Sequence, residues 1–146
     1  MSAYNDIYYT ACLIEFTGRK TKNSRKAVVQ QIGRDGFLRL ISLSDVNHCL
    51  PFEQVSDELI EDYQIEEGNF DTVSECKYTV PSVTRIGRVY ARLVELLSGN
   101  EESYGDTLYE VMTSSLPDAI SDFNSSLFFA PAEELKFYYE EEYKLA

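Results

Sequence analysis

The sequence predicts an all-α protein, a compact bundle of about six to seven short helices with, at most, one short β-hairpin or extended segment. Apolar residues recur at three- and four-residue steps through most of the chain, which is the period of a helix face. Glycine and proline stand where these stretches start and stop. Hydrophobic residues make up 44% of the 146 residues, which is enough apolar surface for a core. The chain is therefore expected to be one domain, 1–146.

The first helix is predicted from Asn5 to Thr17. Asn5 is a suitable N-cap residue, Asp6 lies in the first turn, and Gly18 provides a C-terminal stop. The apolar residues at helical spacing are Ile7, Tyr8, Ala11, Cys12 and Phe16. Of the three cysteines, Cys12 is thus expected to be a small core residue.

Four short helical segments follow, and they span Arg25–Ile32, Gly36–Ser42, Ser44–His48 and Pro51–Tyr63. Ser24 can cap the first of these, Gly33 ends it, and Pro51 suits the first turn of the last. This predicted cluster of short helices spans residues 1–65, and its first 50 residues are mildly basic. It is compatible with a helix-turn-helix, although short helices also pack in this way without any DNA.

The second part, residues 66–146, is predicted to be acidic, to contain longer helices and to pack on the first. The stretch 64–79 is predicted to be irregular, and Lys77–Val80 is predicted to be a short extended piece. The predicted helices are Ser82–Leu97, Asp106–Asn124 and Ala132–Tyr143, with Ser125–Phe129 extended or loop. Pro117 is expected to kink or divide the middle helix, and Pro131 to open the last. In the predicted helix Ser82–Leu97, Arg85, Arg88 and Arg92 form a basic stripe separate from the apolar one.

Charge is distributed unevenly along a chain whose formal net charge is -12. Residues 1–50 hold seven Lys and Arg against four Asp and Glu, residues 51–100 four against ten, and residues 101–146 two against eleven. Such a surface repels phosphate, which disfavours general binding to nucleic acid or to an anionic membrane. It favours a basic protein partner.

Clusters of acidic residues, and tyrosines beside them, are the candidate partner-binding surface. The set comprises Glu61, Asp62, Glu66, Glu67, Tyr139, Glu140, Glu141, Glu142 and Tyr143. None of the clusters has the alternating Asp/Asn pattern around a glycine that a calcium loop needs. For the tail Phe137–Tyr143, docking of the terminal helix on the core is the simpler interpretation, and a tyrosine-rich protein-binding patch is the alternative.

One compact basic segment interrupts the acidic chain, at Thr17–Lys26. Its five basic residues are Arg19, Lys20, Lys22, Arg25 and Lys26. Arg19 and Lys20 lie near the negative end of the first helix dipole, where cations are stabilising. In the alternative interpretation, all five contact phosphates of DNA.

The sequence contains only weak indications of a catalytic site or a metal site. Ser44, Asp45 and His48 would lie near one helix face, but Ser44 is also a good N-cap and a single histidine is more often structural. His48 and Cys49 are adjacent in sequence, so on a helix their side chains would point in different directions and would not form a pair. A zinc site formed by these two residues with Cys12 and Cys76 lacks a recognisable spacing. The sequence thus predicts no catalytic residue, cofactor or metal. Three widely spaced cysteines, no apolar leader and no long apolar run indicate a cytoplasmic protein.

At Cys12–Thr21 the chain resembles a family of short, uncharacterised bacterial helical proteins that are often encoded beside ADP-ribosyltransferase-like toxins. Members show a Cys, an apolar residue, a Glu, an aromatic residue and an Arg-Lys pair, and the matching positions are Cys12, Leu13, Glu15, Phe16, Arg19 and Lys20. The stretch Ala27–Ile41 is similar to the family as well, so the resemblance covers about residues 5–65. It implies a helical accessory or antitoxin-like protein and brings no catalytic residues.

The leading functional hypothesis is a non-enzymatic acidic protein that binds and neutralises a basic partner. The partner would be a toxin or a nucleic-acid-binding defence enzyme. In the second case the protein would act as a phage-type inhibitor, and it could inhibit the enzyme by mimicking nucleic acid. Two alternatives stay open. One is a helix-turn-helix autoregulator that binds DNA through residues 19–26, and the other is an enzyme whose site the sequence does not reveal.

Overall fold

The computed structural model describes residues 1–143, and residues 144–146 of the predicted domain lie outside this range. Ten α-helices are present in the described residues, two of them single turns. Their bounds are Ala3–Thr21 (α1), Arg25–Ile32 (α2), Arg34–Ser42 (α3), Ser44–Asn47 (α4), Phe52–Tyr63 (α5), Thr72–Glu75 (α6), Val83–Leu97 (α7), Tyr104–Met112 (α8), Leu116–Ser121 (α9) and Ala132–Tyr138 (α10). Short 3₁₀ turns lie at Glu101–Ser103 and Leu127–Phe129, and a π-helical turn at Tyr139–Tyr143. The all-α prediction is confirmed.

α1 is the central helix, and it packs most extensively on α7. Every residue from Tyr9 to Glu15 is buried, so α1 is enclosed on all sides rather than along one stripe. Besides α7, it contacts α2, α3, α4, α5 and α8. Helices from both halves of the chain contribute to a shared hydrophobic core, which includes Leu13, Val28, Leu93 and Leu108.

α1 is longer at both ends than predicted. Ser2, not Asn5, is the N-cap, because its Oγ accepts a hydrogen bond from the backbone N–H of Asn5 at 3.1 Å. Gly18 does not end the helix. It lies inside α1, where a Cβ would be 2.6 Å from Cδ of Arg25, so the missing side chain makes room for that arginine. The helix ends at Thr21, and its C-cap residue, Lys22, adopts the left-handed conformation at φ 55°.

The predicted count of six to seven helices is wrong, because the chain forms shorter and more numerous helices. The predicted loop at 64–79 contains α6, and the predicted helix Asp106–Asn124 is divided into α8 and α9, with Pro117 in the first turn of α9. No β-hairpin or strand occurs among residues 1–143. Lys77, in the predicted extended piece, instead donates its backbone N–H to Oδ1 of Asn124 at 2.7 Å.

Candidate interaction surfaces

The C-terminal helix and the loop before it form a groove of about 660 Å³ with acidic and aromatic walls. Its carboxylates come from three places in the chain: Asp122 after α9, Glu134 in α10, and Glu142 in the π-helical turn. Tyr138 and Tyr143 line it as well. The apolar residues of the groove are Ala119, Leu127, Phe129, Ala130 and Pro131. It therefore combines negative charge with apolar contact area.

A hydrogen bond links two of the groove side chains. The Tyr138 hydroxyl donates to Oε1 of Glu134 at 3.1 Å, and this bond raises the pKa of Tyr138. Glu134 keeps further acceptor positions open, because an ionised carboxylate accepts about four hydrogen bonds. A cation can therefore bind Glu134 without breaking the bond to Tyr138.

Tyr139 and Tyr143, which the sequence assigns to one partner-binding surface, differ in their exposure. Tyr139 is only 3% exposed and packs in the core, so it anchors the terminal helix and is not accessible to a partner. Tyr143 is half-buried and lines the groove. Glu140, Glu141 and Glu142 are exposed, and only Glu142 of the three reaches the groove.

The other acidic cluster lies at the end of α5 and in the loop that follows. Glu61, Asp62, Glu66 and Glu67 are exposed and make no ion pair with a described residue. The loop is held by its backbone, since the Glu66 carbonyl accepts from Nδ2 of Asn23 at 2.7 Å. These four carboxylates therefore face solvent from a fixed backbone.

The basic segment is used largely inside the protein. Glu15 is completely buried, and Arg25, whose side chain is 2% exposed, donates to both of its carboxylate oxygens, at 2.9 and 2.7 Å. Arg19 donates to Glu15 at 2.7 Å and to the carbonyl of Pro81 at 2.8 Å. Burial disfavours ionised Glu15, but the hydrogen bonds and charges of these arginines prevail and lower the pKa of Glu15. Arg25 is thus not accessible to a phosphate.

Of the other three basic residues, Lys20 is paired as well. Its Nζ contacts Oε1 of Glu53 at 2.5 Å and a carboxylate oxygen of Asp57. Lys22 is exposed and Lys26 half-buried, and neither makes an ion pair with residues 1–143. The set of five predicted phosphate contacts therefore reduces to these two lysines and a partly exposed Arg19.

The predicted Ser44, Asp45 and His48 grouping does not form a catalytic arrangement. Ser44 is buried and its Oγ is 3.0 Å from Oγ1 of Thr10, whereas Nδ1 of His48 lies 2.7 Å from the Asp45 carbonyl oxygen. A serine activated by histidine needs a hydrogen bond between the two side chains. Here the two side chains bond to different groups.

The cysteines lie in different environments. Cys12 is buried in the core, and this burial raises the pKa of its thiol to about 12. Cys49 is exposed, with its Sγ 3.9 Å from Nε2 of His48. Cys76 is half-buried beside the carbonyl of Tyr78. Residues 1–143 contain no group of three or more His, Cys, Asp or Glu side chains placed to hold a metal ion.

A second groove, of about 310 Å³, is basic. The sequence predicts that its three arginines share one face of a helix, but it does not predict the groove. Arg85, Arg88 and Arg92 project from α7 toward it. The facing wall consists of Phe128, Phe129, Ala130, Pro131, Ala132 and Leu135. The sequence signal was the absence of any acidic residue between Glu75 and Glu95, while the facing wall comes from a remote segment.

No helix in the described residues is both long enough and apolar enough to cross a membrane. Comparison with models of known protein families, with curated proteins and with solved structures gave no match.

Proposed function

We propose that this protein is a non-enzymatic interaction protein that binds and neutralises a basic protein partner, as antitoxins and phage-type inhibitors do. The observation that carries the proposal is the acidic groove beside α10. Three carboxylates and two tyrosines surround it, and no lysine or arginine lines it. A basic segment of the partner is the ligand that this chemistry suits best.

The groove fits a peptide segment better than a small metabolite. Its volume of about 660 Å³ is sufficient for several side chains. Asp122, Glu134 and Glu142 can accept hydrogen bonds from arginine or lysine, and tyrosines supply contact area at low entropic cost. Phe129, which is 61% exposed, offers an apolar surface at the rim. We propose that the partner inserts basic side chains between the carboxylates and covers Phe129.

The remaining acidic residues would act at longer range. Glu61, Asp62, Glu66 and Glu67, like Glu140 and Glu141, are exposed outside the groove. Distributed charge of this kind accelerates the encounter with an oppositely charged protein and contributes less to the final affinity. In a partner that binds nucleic acid, the same basic surface would be the one blocked.

The test is co-expression with the product of the adjacent gene, followed by purification of the tagged protein at about 50 mM salt. A stoichiometric complex is expected, and it should dissociate progressively as the salt concentration rises, because screening weakens exposed charge pairs. Recovery of the free protein alone, even at low salt, would contradict the proposal.

Matched variants locate the site within that complex. The double substitution Glu134→Gln and Glu142→Gln should weaken binding by about tenfold, which corresponds to about 1.4 kcal/mol. The control is Glu101→Gln with Glu102→Gln, which removes the same charge from exposed residues of the 3₁₀ turn before α8. If both variants weaken binding equally, diffuse charge and not the groove is responsible.

A DNA-binding role for residues 19–26 is the weaker candidate. Arg25 is enclosed with Glu15, and Lys20 is paired with Glu53 and Asp57. Only Lys22, Lys26 and the partly exposed Arg19 remain to contact DNA, and the net charge of -12 would repel its phosphates. The absence of a mobility shift with the protein's own promoter at about 50 mM salt would remove this alternative.

A further inference from the structure

The basic groove is lined by three arginines that have no counter-ion among residues 1–143. The chain holds 25 Asp and Glu residues, and Arg19, Arg25 and Arg34 each pair with one of them. Arg85, Arg88 and Arg92 are exposed on successive turns of α7 and make no ion pair or side-chain hydrogen bond with residues 1–143. Like charges at such spacing on one helix are destabilising. No ion pair with a described residue offsets this repulsion.

Two of these arginines are held in place by aromatic rings. The guanidinium of Arg85 lies 4.6 Å from the ring centroid of Phe129, and that of Arg88 lies 5.9 Å from the centroid of Tyr8. Contacts with a ring face orient a guanidinium but leave its N–H donors unused. The groove thus presents guanidinium N–H donors that no described residue uses, and a ring in its own wall orients Arg85.

Phosphate groups suit these donors better than single carboxylates do. Arginine binds phosphate through two parallel N–H bonds, and three guanidiniums can balance two or more phosphate charges. The helical rise separates the first and last of the three Cα atoms by about 10 Å, which matches an extended group better than one isolated ion. Long nucleic acid is disfavoured, because the net charge of -12 repels a polyanion. A compact ligand with concentrated charge remains.

The other wall of the groove is apolar and aromatic. Phe128, Phe129, Pro131 and Leu135 contribute to it, and Arg85 offers the flat face of its guanidinium beside Phe129. Bases stack on aromatic rings and on arginine planes. A volume of about 310 Å³ is at the small end of the pockets that hold small molecules, which range over roughly 300–1,000 Å³.

We infer that this groove binds a mononucleotide with two or more phosphate groups, whose phosphates contact Arg88 and Arg92 and whose base lies against Arg85 and Phe129. The site does not depend on the proposed partner groove. The two grooves share the segment Phe129–Pro131 as a common wall, but their charged residues are different.

Calorimetric titration of the full chain with ADP, ATP, AMP, pyrophosphate and adenosine at about 50 mM salt tests the inference. Affinity should rise from AMP to ADP to ATP, and adenosine should not bind measurably. Pyrophosphate should bind more weakly than ADP, because it has no base. The double substitution Arg88→Gln and Arg92→Gln should weaken ADP binding by about a hundredfold, since one charge-assisted contact corresponds to about tenfold.

The matched control is Lys22→Gln with Lys26→Gln, which removes two positive charges remote in sequence from the groove and should leave ADP binding unchanged. Circular dichroism of both variants checks that the fold is retained. Four results would overturn the inference: no binding of ADP or ATP at millimolar concentration, equal losses in the two variants, equal affinity for pyrophosphate and ADP, or tighter binding of a singly phosphorylated peptide than of ADP.

Discussion

Glu15 carries a negative charge in the centre of the helical core, where an unpaired carboxylate would be very costly. Arg25 and Arg19 both donate to it, and Arg25 also donates to the carbonyl of Asn23 at 2.9 Å. The cluster joins three elements, because Glu15 belongs to α1, Arg25 begins α2, and Arg19 reaches the carbonyl of Pro81 just before α7. The basic segment is thus mainly an internal joint of the fold.

Substitution of Glu15 by Gln should therefore be strongly destabilising. The change leaves Arg25 buried without its counter-ion, which costs about 3–5 kcal/mol in free energy of unfolding. Urea denaturation at pH 7 measures this loss. The control is Glu53→Gln, which removes a carboxylate from the exposed pair with Lys20 and should cost at most about 1 kcal/mol. Equal effects of the two substitutions would show that the buried cluster has no special role.

The loss of unfolding free energy caused by Glu15→Gln should depend on pH, because the pKa of Glu15 is lowered in the folded protein. Because the folded protein holds this carboxyl ionised below its ordinary pKa of 4.5, the stabilisation is complete above that value. It is lost as the pH falls through the folded-state pKa. The gap in unfolding free energy between the natural protein and Glu15→Gln should thus be constant near neutral pH and narrow below about pH 4.5.

The close approach of α1 and α7 depends on one glycine. A Cβ on Gly87 would meet the Cys12 sulfur and would lie 3.1 Å from the Cys12 backbone nitrogen. These two helices form the most extensive contact in the fold, so the spacing between them sets the positions of the helices around them. The spacing also fixes α7, from which the three groove arginines project.

Replacement of Gly87 by Ala should destabilise the protein by about 1–3 kcal/mol, because the two helices must move apart. In an ordinary helix the same change is favourable by about 1 kcal/mol, so the sign itself is diagnostic. Thermal and urea unfolding provide the measurement. Gly99→Ala is the control, since no atom lies within 4 Å of its added Cβ. A stabilising effect of Gly87→Ala would refute the close packing described here.

The whole molecule carries a net charge of -12, concentrated after residue 50. Most of its acidic side chains are exposed, and the described ion pairs engage only a few of them. Repulsion among like charges opposes the compact state, while it also keeps the protein soluble. In the proposed function, this uncompensated surface charge accelerates the encounter with a basic partner.

Salt should consequently stabilise the isolated protein. Raising NaCl from about 10 to 200 mM shortens the Debye length from about 30 Å to below 10 Å and screens the repulsion between exposed carboxylates. The buried Glu15 cluster is screened much less. The midpoint of thermal unfolding should therefore rise with salt, in the range where the proposed complex weakens. A falling midpoint would mean that surface ion pairs contribute more than repulsion.

Several local features followed from the sequence because they depend on neighbouring residues. Ser24 caps α2 and accepts from the Ala27 N–H at 3.1 Å, and α5 ends at Tyr63 as its apolar spacing predicts. Periodicity also identified α7. The acidic residues Glu61, Asp62, Glu66 and Glu67 are exposed, as charged residues without partners generally are.

Other features required contacts between remote parts of the chain. The spacing in the sequence does not show that Arg25 is buried against Glu15, that Gly18 lies inside α1, or that Tyr139 packs in the core. The groove carboxylates Asp122 and Glu134 were missed for the same reason, since they are ordinary surface acids until α9 and α10 bring them together.

The pattern of apolar residues and caps is sufficient to specify helices, since helix formation is governed by interactions over three or four residues. The uses of the charged side chains were decided only by the tertiary structure. Of five basic residues in Thr17–Lys26, folding places one in the core and pairs two others with carboxylates, while three arginines of α7 face a groove without counter-ions. Charge acts through space, so the position of a side chain in the fold determines whether it is an internal tie or a binding group.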